Sequence, residues 1–142
     1  MTRQHSAMRL SGIILIVTGV LFALTALPAL HGLAHIFLTV AYWPFQTVPS
    51  DISAPTTLLL AITGGLTAGL GAMQWALGTY VAPLSATVAA KVAKIAAWTW
   101  FCTDSAGSIL VGAPFNVVLN LSFLLLILWS CRTQPDGNPV AT

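Results

Sequence analysis

Apolar residues fill this chain in long runs separated by short polar breaks, and the first run extends from Leu10 to Leu30. At 1.5 Å per helical residue it is about long enough to cross a hydrocarbon core of roughly 30 Å. A basic leader with Arg3, His5 and Arg9 precedes it. A secretory signal peptide has the same layout, and Gly32-Leu33-Ala34 offers small residues for cleavage. The run is nonetheless longer than a usual signal core and lacks a clean cleavage site at its end, so a retained span over about 10–30 is the expectation. From His31 to Trp43 the pattern turns amphipathic: His31, His35 and Thr39 share one helical line, Leu33, Ile36, Phe37 and Val40 the other. It predicts an interfacial helix over about 31–43, with Tyr42 and Trp43 at headgroup depth. Pro44, Pro49 and Pro55 mark the next stretch as loop.

A second apolar run, about 58–78, carries Gly64, Gly65, Gly69 and Gly71. Gly65 and Gly69 stand four apart, the spacing that lets helix backbones approach closely in lipid. Packing within one bundle is the expectation; a seam to a second protomer or a larger complex is the alternative. Gln74 and Trp75 then mark the approach to the far interface. Gly78 to Ala90 reads as a connection containing Pro83, Lys91 and Lys94 open a third span over about 91–111, and a fourth covers about 114–131. The tail, 133–142, has the proline, glycine and polar content of a disordered segment.

Composition sets the solvent. Of 142 residues, 57% are hydrophobic and 6% charged, and mean hydropathy is +0.90. Soluble domains are about one quarter charged, so a surface this apolar calls for lipid. The fold class expected is an all-α integral membrane protein, a four-transmembrane-helix bundle with an extra interfacial amphipathic helix after the first span. A net charge of +2 from five scattered basic residues makes no nucleic-acid patch. Those basic residues do orient the chain. Arg3, Arg9, Lys91, Lys94 and Arg132 flank alternate ends of the spans, while the histidine segment and the turn at Gly112 have none. Both termini and the middle connection are therefore expected on the cytoplasmic side of a plasma membrane.

Candidate chemistry gathers in WTWFCTDSAGSILVGAPFNVVLN, Trp98 to Asn120. Gly112-Ala113-Pro114 offers a chain reversal with Pro114 in a first helical turn. In an antiparallel hairpin, residues equidistant from the turn face one another. Asp104 then opposes Asn120 and Ser108 opposes Asn116, a polar ladder in otherwise apolar helices. Asp104 lies ten residues beyond Lys94, so about 15 Å deeper along the axis. An ionised acid there costs about 3 kcal/mol unless paired, hydrated or protonated. Three roles compete: a ligand- or proton-binding group, a helix lock through Asn120, and a wet surface carboxylate.

Other chemistry is sparse. His31 and His35 at i, i+4, with Asp51 nearby in sequence, are weak metal candidates. Histidines one turn apart on one helix do not offer opposite faces to a haem iron, and no cofactor is expected. Cys102 and Cys131 fall at different depths, which predicts two free thiols. The chain has no glutamate and no nucleophile or phosphate-loop motif, so an enzyme would have to work around Asp104 alone, and none is expected.

The segments LLLAITGGLTAGLGAMQWAL and WFCTDSAGSILVGAPFNVVLN, within about Leu58 to Leu128, resemble small bacterial four-helix membrane proteins of a broadly DoxX-like kind. The resemblance rests on glycine placement and the D-S-x-G-S hairpin. It implies a bacterial four-helix bundle and brings no catalytic residues. The function expected is a small membrane module binding a hydrophobic or lipid-like ligand around Asp104, Ser108, Asn116 and Asn120. An accessory subunit docking through the Gly65–Gly69 face, on a larger complex or as a homo-oligomer, is the second expectation, and a small oligomeric transporter the third.

Overall fold

Serines start two of the long helices. Ser53 accepts a bond from the Thr56 amide at 3.4 Å and Ser85 one from the Val88 amide at 3.3 Å, each satisfying a donor that the first helical turn leaves open. In the computed structural model, which describes residues 3–132, these caps precede α3, Ala54–Ala76, and α4, Ala86–Leu110. Before them come α1, Arg3–Leu24, a short 3-10 turn at Pro28–Leu30, and α2, His31–Tyr42. The last helix is α5, Phe115–Ser130. The described residues contain no strand, so the fold is all-α as expected. The segment 133–142, expected as a disordered tail, lies outside the described residues.

The apolar runs locate the helices, with revised ends. The first helix begins in the basic leader and stops at Leu24, six residues before the expected limit, where Thr25 and Pro28 take the chain into turns. The expected connection from Gly78 is also corrected. Helical backbone continues past Ala76 as a π-helical turn over Leu77–Val81, closed by the Ala82 amide donating to the Leu77 carbonyl at 2.8 Å, while Thr79 Oγ1 donates to the Trp75 carbonyl at 2.8 Å. Only Ala82 to Ser85 separates it from α4.

The largest interface joins α1 to α3, and glycine makes it. Gly12 and Gly19 on α1 face Gly71 and Gly64 on α3, so the two helices run antiparallel with backbones nearly touching. A Cβ added to Gly12 would stand 2.5 Å from the Trp75 nitrogen and 2.7 Å from the Gly71 oxygen; one on Gly64 would stand 2.6 Å from the Gly19 oxygen. Gly65 and Gly69, in contrast, have nothing within 4 Å of the place a Cβ would occupy, and they point outward. The expectation of internal packing is thus corrected residue by residue. The seam uses glycines seven apart, Gly64 and Gly71 against Gly12 and Gly19, because that spacing keeps one edge of each helix on the partner.

The hairpin of α4 and α5 is the second unit. α4 ends in a Schellman turn: Gly112 has φ 77°, its amide reaches the Ile109 carbonyl at 3.1 Å, and the Ala113 amide reaches the Ser108 carbonyl at 2.8 Å. The two units meet at the end opposite this turn. There Met8, Leu15, Leu77, the small side chains of Ala90, Ala93 and Ala97, and Leu124, Ile127 and Cys131 form one buried core. From that closed end α3 and α4 diverge, with their shared contacts centred on the Leu77–Val81 turn. At the other end α2 packs on α5, Phe37 meets Phe22 edge-on at 4.4 Å, and Trp43 meets Phe115 at 5.7 Å.

Among the described residues two helical segments are both long and apolar enough to cross a membrane, Gln4–Leu24 and Ala54–Val81. α4 has the length but carries Lys91, Lys94 and Asp104, while α5 is apolar but only 16 residues long. Both candidate spans keep large apolar side chains exposed, among them Leu21 and Leu66. Arg9, Lys91, Lys94 and Arg132 all lie toward the closed end, and Asp51, His31 and His35 toward the open one.

Candidate functional site

Where α3 and α4 part, they border an open cleft of about 600 Å³, within the range of small-molecule sites. All five helices contribute to its lining. The face of α4 explains its position: the alanines that let α5 and the π-turn come close end at Ala97, and Trp100, Asp104 and Ser108 follow on that side. Bulk and polarity replace small side chains, and the helices no longer close on one another. Phe22, Phe37 and Phe123 supply further aromatic wall, with Phe123 lying 6.3 Å from Trp100. Thr18 and Thr63 add hydroxyls from α1 and α3.

The four residues of the polar ladder come together in this cavity. Asn120 donates through Nδ2 to Asp104 Oδ2, in a short contact. Asn116 donates to the same oxygen at 3.3 Å and to Ser108 Oγ at 2.8 Å. Ser108 donates its own proton to the Asp104 backbone carbonyl at 2.8 Å. Ser105, which lies on neither side of the sequence-derived ladder, is also drawn in, 3.5 Å from Asn120 Nδ2. Asn120 and Ser108 are buried, and Asp104 and Asn116 partly so. The cluster therefore has a protein side, bonded and covered, and a cavity side.

A second polar cluster lies in the closed end. Gln74 is 1% exposed and donates to Ser11 Oγ at 3.2 Å and to Ser130 Oγ at 2.8 Å. Ser11 and Ser130 in turn donate to the carbonyls of Met8 and Ile127. Gln74, expected from the sequence at the approach to the far interface, ties three helices from inside. A signal existed, because Gln74 follows Gly71 by three residues on the seam side of α3.

Each of the metal candidates makes its own contacts. His31 Nε2 lies 3.4 Å from the Ala26 carbonyl and His35 Nε2 3.3 Å from the Val48 carbonyl, while Asp51 is exposed on a small cavity beside Val48 and Thr56. Among the described residues no three His, Cys, Asp or Glu side chains form a group able to hold a metal ion. Cys102 is exposed and Cys131 buried, both as free thiols. No family model matches the chain, and neither a curated protein nor a solved structure matches it.

Proposed function

We propose that this is a small multi-pass membrane protein that binds a hydrophobic or lipid-like molecule in the cleft, with Asp104 and Asn120 reading its polar end. The observation that carries this is the single juxtaposition of a largely apolar cavity of about 600 Å³ with the cluster of Asp104, Ser108, Asn116 and Asn120. Apolar walls with a few convergent polar groups are the usual make-up of small-molecule sites. An acid in this setting is a functional candidate by default.

The membrane setting in this proposal has four spans, with α4 and α5 completing the pair α1 and α3. Large apolar side chains left exposed on every one of these helices support it, among them Leu21, Leu66, Ile95 and Leu125. So does the gathering of basic residues toward one end; in the proposed orientation that end and both termini face the cytoplasm of a bacterial cell, and the cleft lies in the outer half of the membrane. The resemblance to small bacterial four-helix proteins agrees with this picture and adds no ligand. The test is the native mass of the protein extracted gently from its own membrane. An added mass of a lipid or small molecule, lost in Asp104→Asn while the protein stays folded, is the expected result. A bare protomer mass in the wild type would overturn the proposal.

A second function is favoured by one observation, the open space around Gly65 and Gly69. A close-approach surface that the chain itself leaves unused suits an accessory subunit docking on a second protomer or a larger complex. Gly65→Leu and Gly69→Leu should then shift the native mass to that of a monomer. Retention of the assembly in both variants would remove this function.

A further inference from the structure

The bonded cluster leaves one kind of chemistry facing the cleft. A carboxylate selects the NH₂ edge of a neighbouring amide, since two oxygens face to face repel. Asn116 and Asn120 both turn Nδ2 to Asp104 Oδ2, and Ser108 spends its proton on a backbone carbonyl. What remains are acceptors. Asp104 Oδ1 and the side-chain oxygens of Asn116 and Asn120 take no bond from any described residue. Among the described residues no Lys, Arg or His lines the cavity to neutralise the acid or to meet an anion. The other polar lining consists of hydroxyls, which accept as readily as they donate, and the Trp100 indole.

Resting on the cleft as the binding site, we propose that the polar end it selects is a hydrogen-bond donor, an ammonium or a hydroxyl carried on an apolar chain or ring, and that phosphate and carboxylate heads are rejected. An anionic head would meet a carboxylate and two amide oxygens with no cation to offset them, whereas a donor head completes the three open acceptors. The aromatic and threonine-lined walls take the apolar part.

The experiment holds the tail constant and changes the head. Full-length protein in nanodiscs of uncharged lipid is titrated with dodecylamine, dodecanol, dodecyl phosphate and dodecanoate, with binding read by native mass spectrometry. Dodecylamine or dodecanol is expected to saturate, and both anions to bind about tenfold more weakly or worse. An amine that outranks the alcohol assigns the head as ammonium; the reverse order assigns it as hydroxyl. Anions that bind as tightly as the better of the two would overturn the donor rule while leaving the cleft as a site. Saturation by none of the four would instead remove the cleft as an amphiphile site, and the donor rule with it. In Asp104→Asn the preference for dodecylamine over dodecyl phosphate should collapse, and an unchanged preference would show that Asp104 does not read the head. The wild-type series decides the donor rule even where that variant folds poorly.

Discussion

At the scale of residues, the two polar clusters around Gln74 and Asp104, one buried and one on the cavity wall, are built on different terms. Around Gln74 every serine has a backbone carbonyl to fall back on, Ser11 that of Met8 and Ser130 that of Ile127. Gln74→Leu therefore leaves no orphaned hydroxyl and keeps nearly the same volume. A loss of about 1 kcal/mol or less is expected from reversible unfolding in mixed detergent. Asn120 differs because its partner is an acid. Asn120→Leu takes away the short contact to Asp104 Oδ2 and leaves Asn116 as that oxygen's remaining donor. The expected loss is about 1–2 kcal/mol by the same measurement. If Gln74→Leu proved the more damaging, the closed cluster would outrank the ladder as a structural tie. Function has the opposite ranking: only the Asp104 cluster borders the cavity, so ligand binding should survive Gln74→Leu.

At the scale of elements, helix association is decided by which edge carries glycine. Gly64→Leu must push α1 and α3 apart along the whole seam, because its Cβ direction runs straight into the α1 backbone near Gly19 and Ala23. A loss of about 3 kcal/mol or more is expected, at the upper end of overpacking costs. Gly65→Leu has open space and gains helix propensity, so its melting temperature in detergent should stay level or rise. Similar losses in both variants would mean that the seam has been placed on the wrong edge. The pair also shows what was legible in the sequence. The hairpin could be read because a Gly-Ala-Pro turn sets its register, and equal distances from Gly112 then match Asp104 to Asn120 and Ser108 to Asn116. The α1–α3 seam could not be read from the four-residue glycine spacing, since Gly65 and Gly69 are adjacent in sequence to the seam but roughly a third of a turn away from it. The seven-residue repeat that does pack is Gly12 and Gly19 against Gly64 and Gly71, and recognising it requires knowing which helix faces which. The cavity was illegible for the same reason: its lining comes from five helices, and its existence depends on α3 and α4 diverging.

At the scale of the whole molecule, one end is closed by small side chains and the other held open over an acid, and the charges follow the same axis. Lys91, Lys94, Arg9 and Arg132 gather toward the closed end, and the loop containing Asp51 lies at the open one. In the proposed orientation the closed end faces the cytoplasm, so the Ala82–Ser85 turn is inside and the loop before α3 outside. Both places offer exposed positions for a probe: Leu84 is 88% exposed, and Ser50 is exposed in the loop. With Cys102→Ser and Cys131→Ala as background, Ser50→Cys should react with a membrane-impermeant maleimide added to intact cells. Leu84→Cys should react only after the cells are opened. Labelling of both from outside would break the alternation of spans that four crossings demand, and the reverse pattern would invert the molecule. That second outcome would also move the cleft. Asp104 would then lie in the inner half of the bilayer, and the donor-headed molecule proposed for it would have to enter from the cytoplasmic leaflet instead of the outer one.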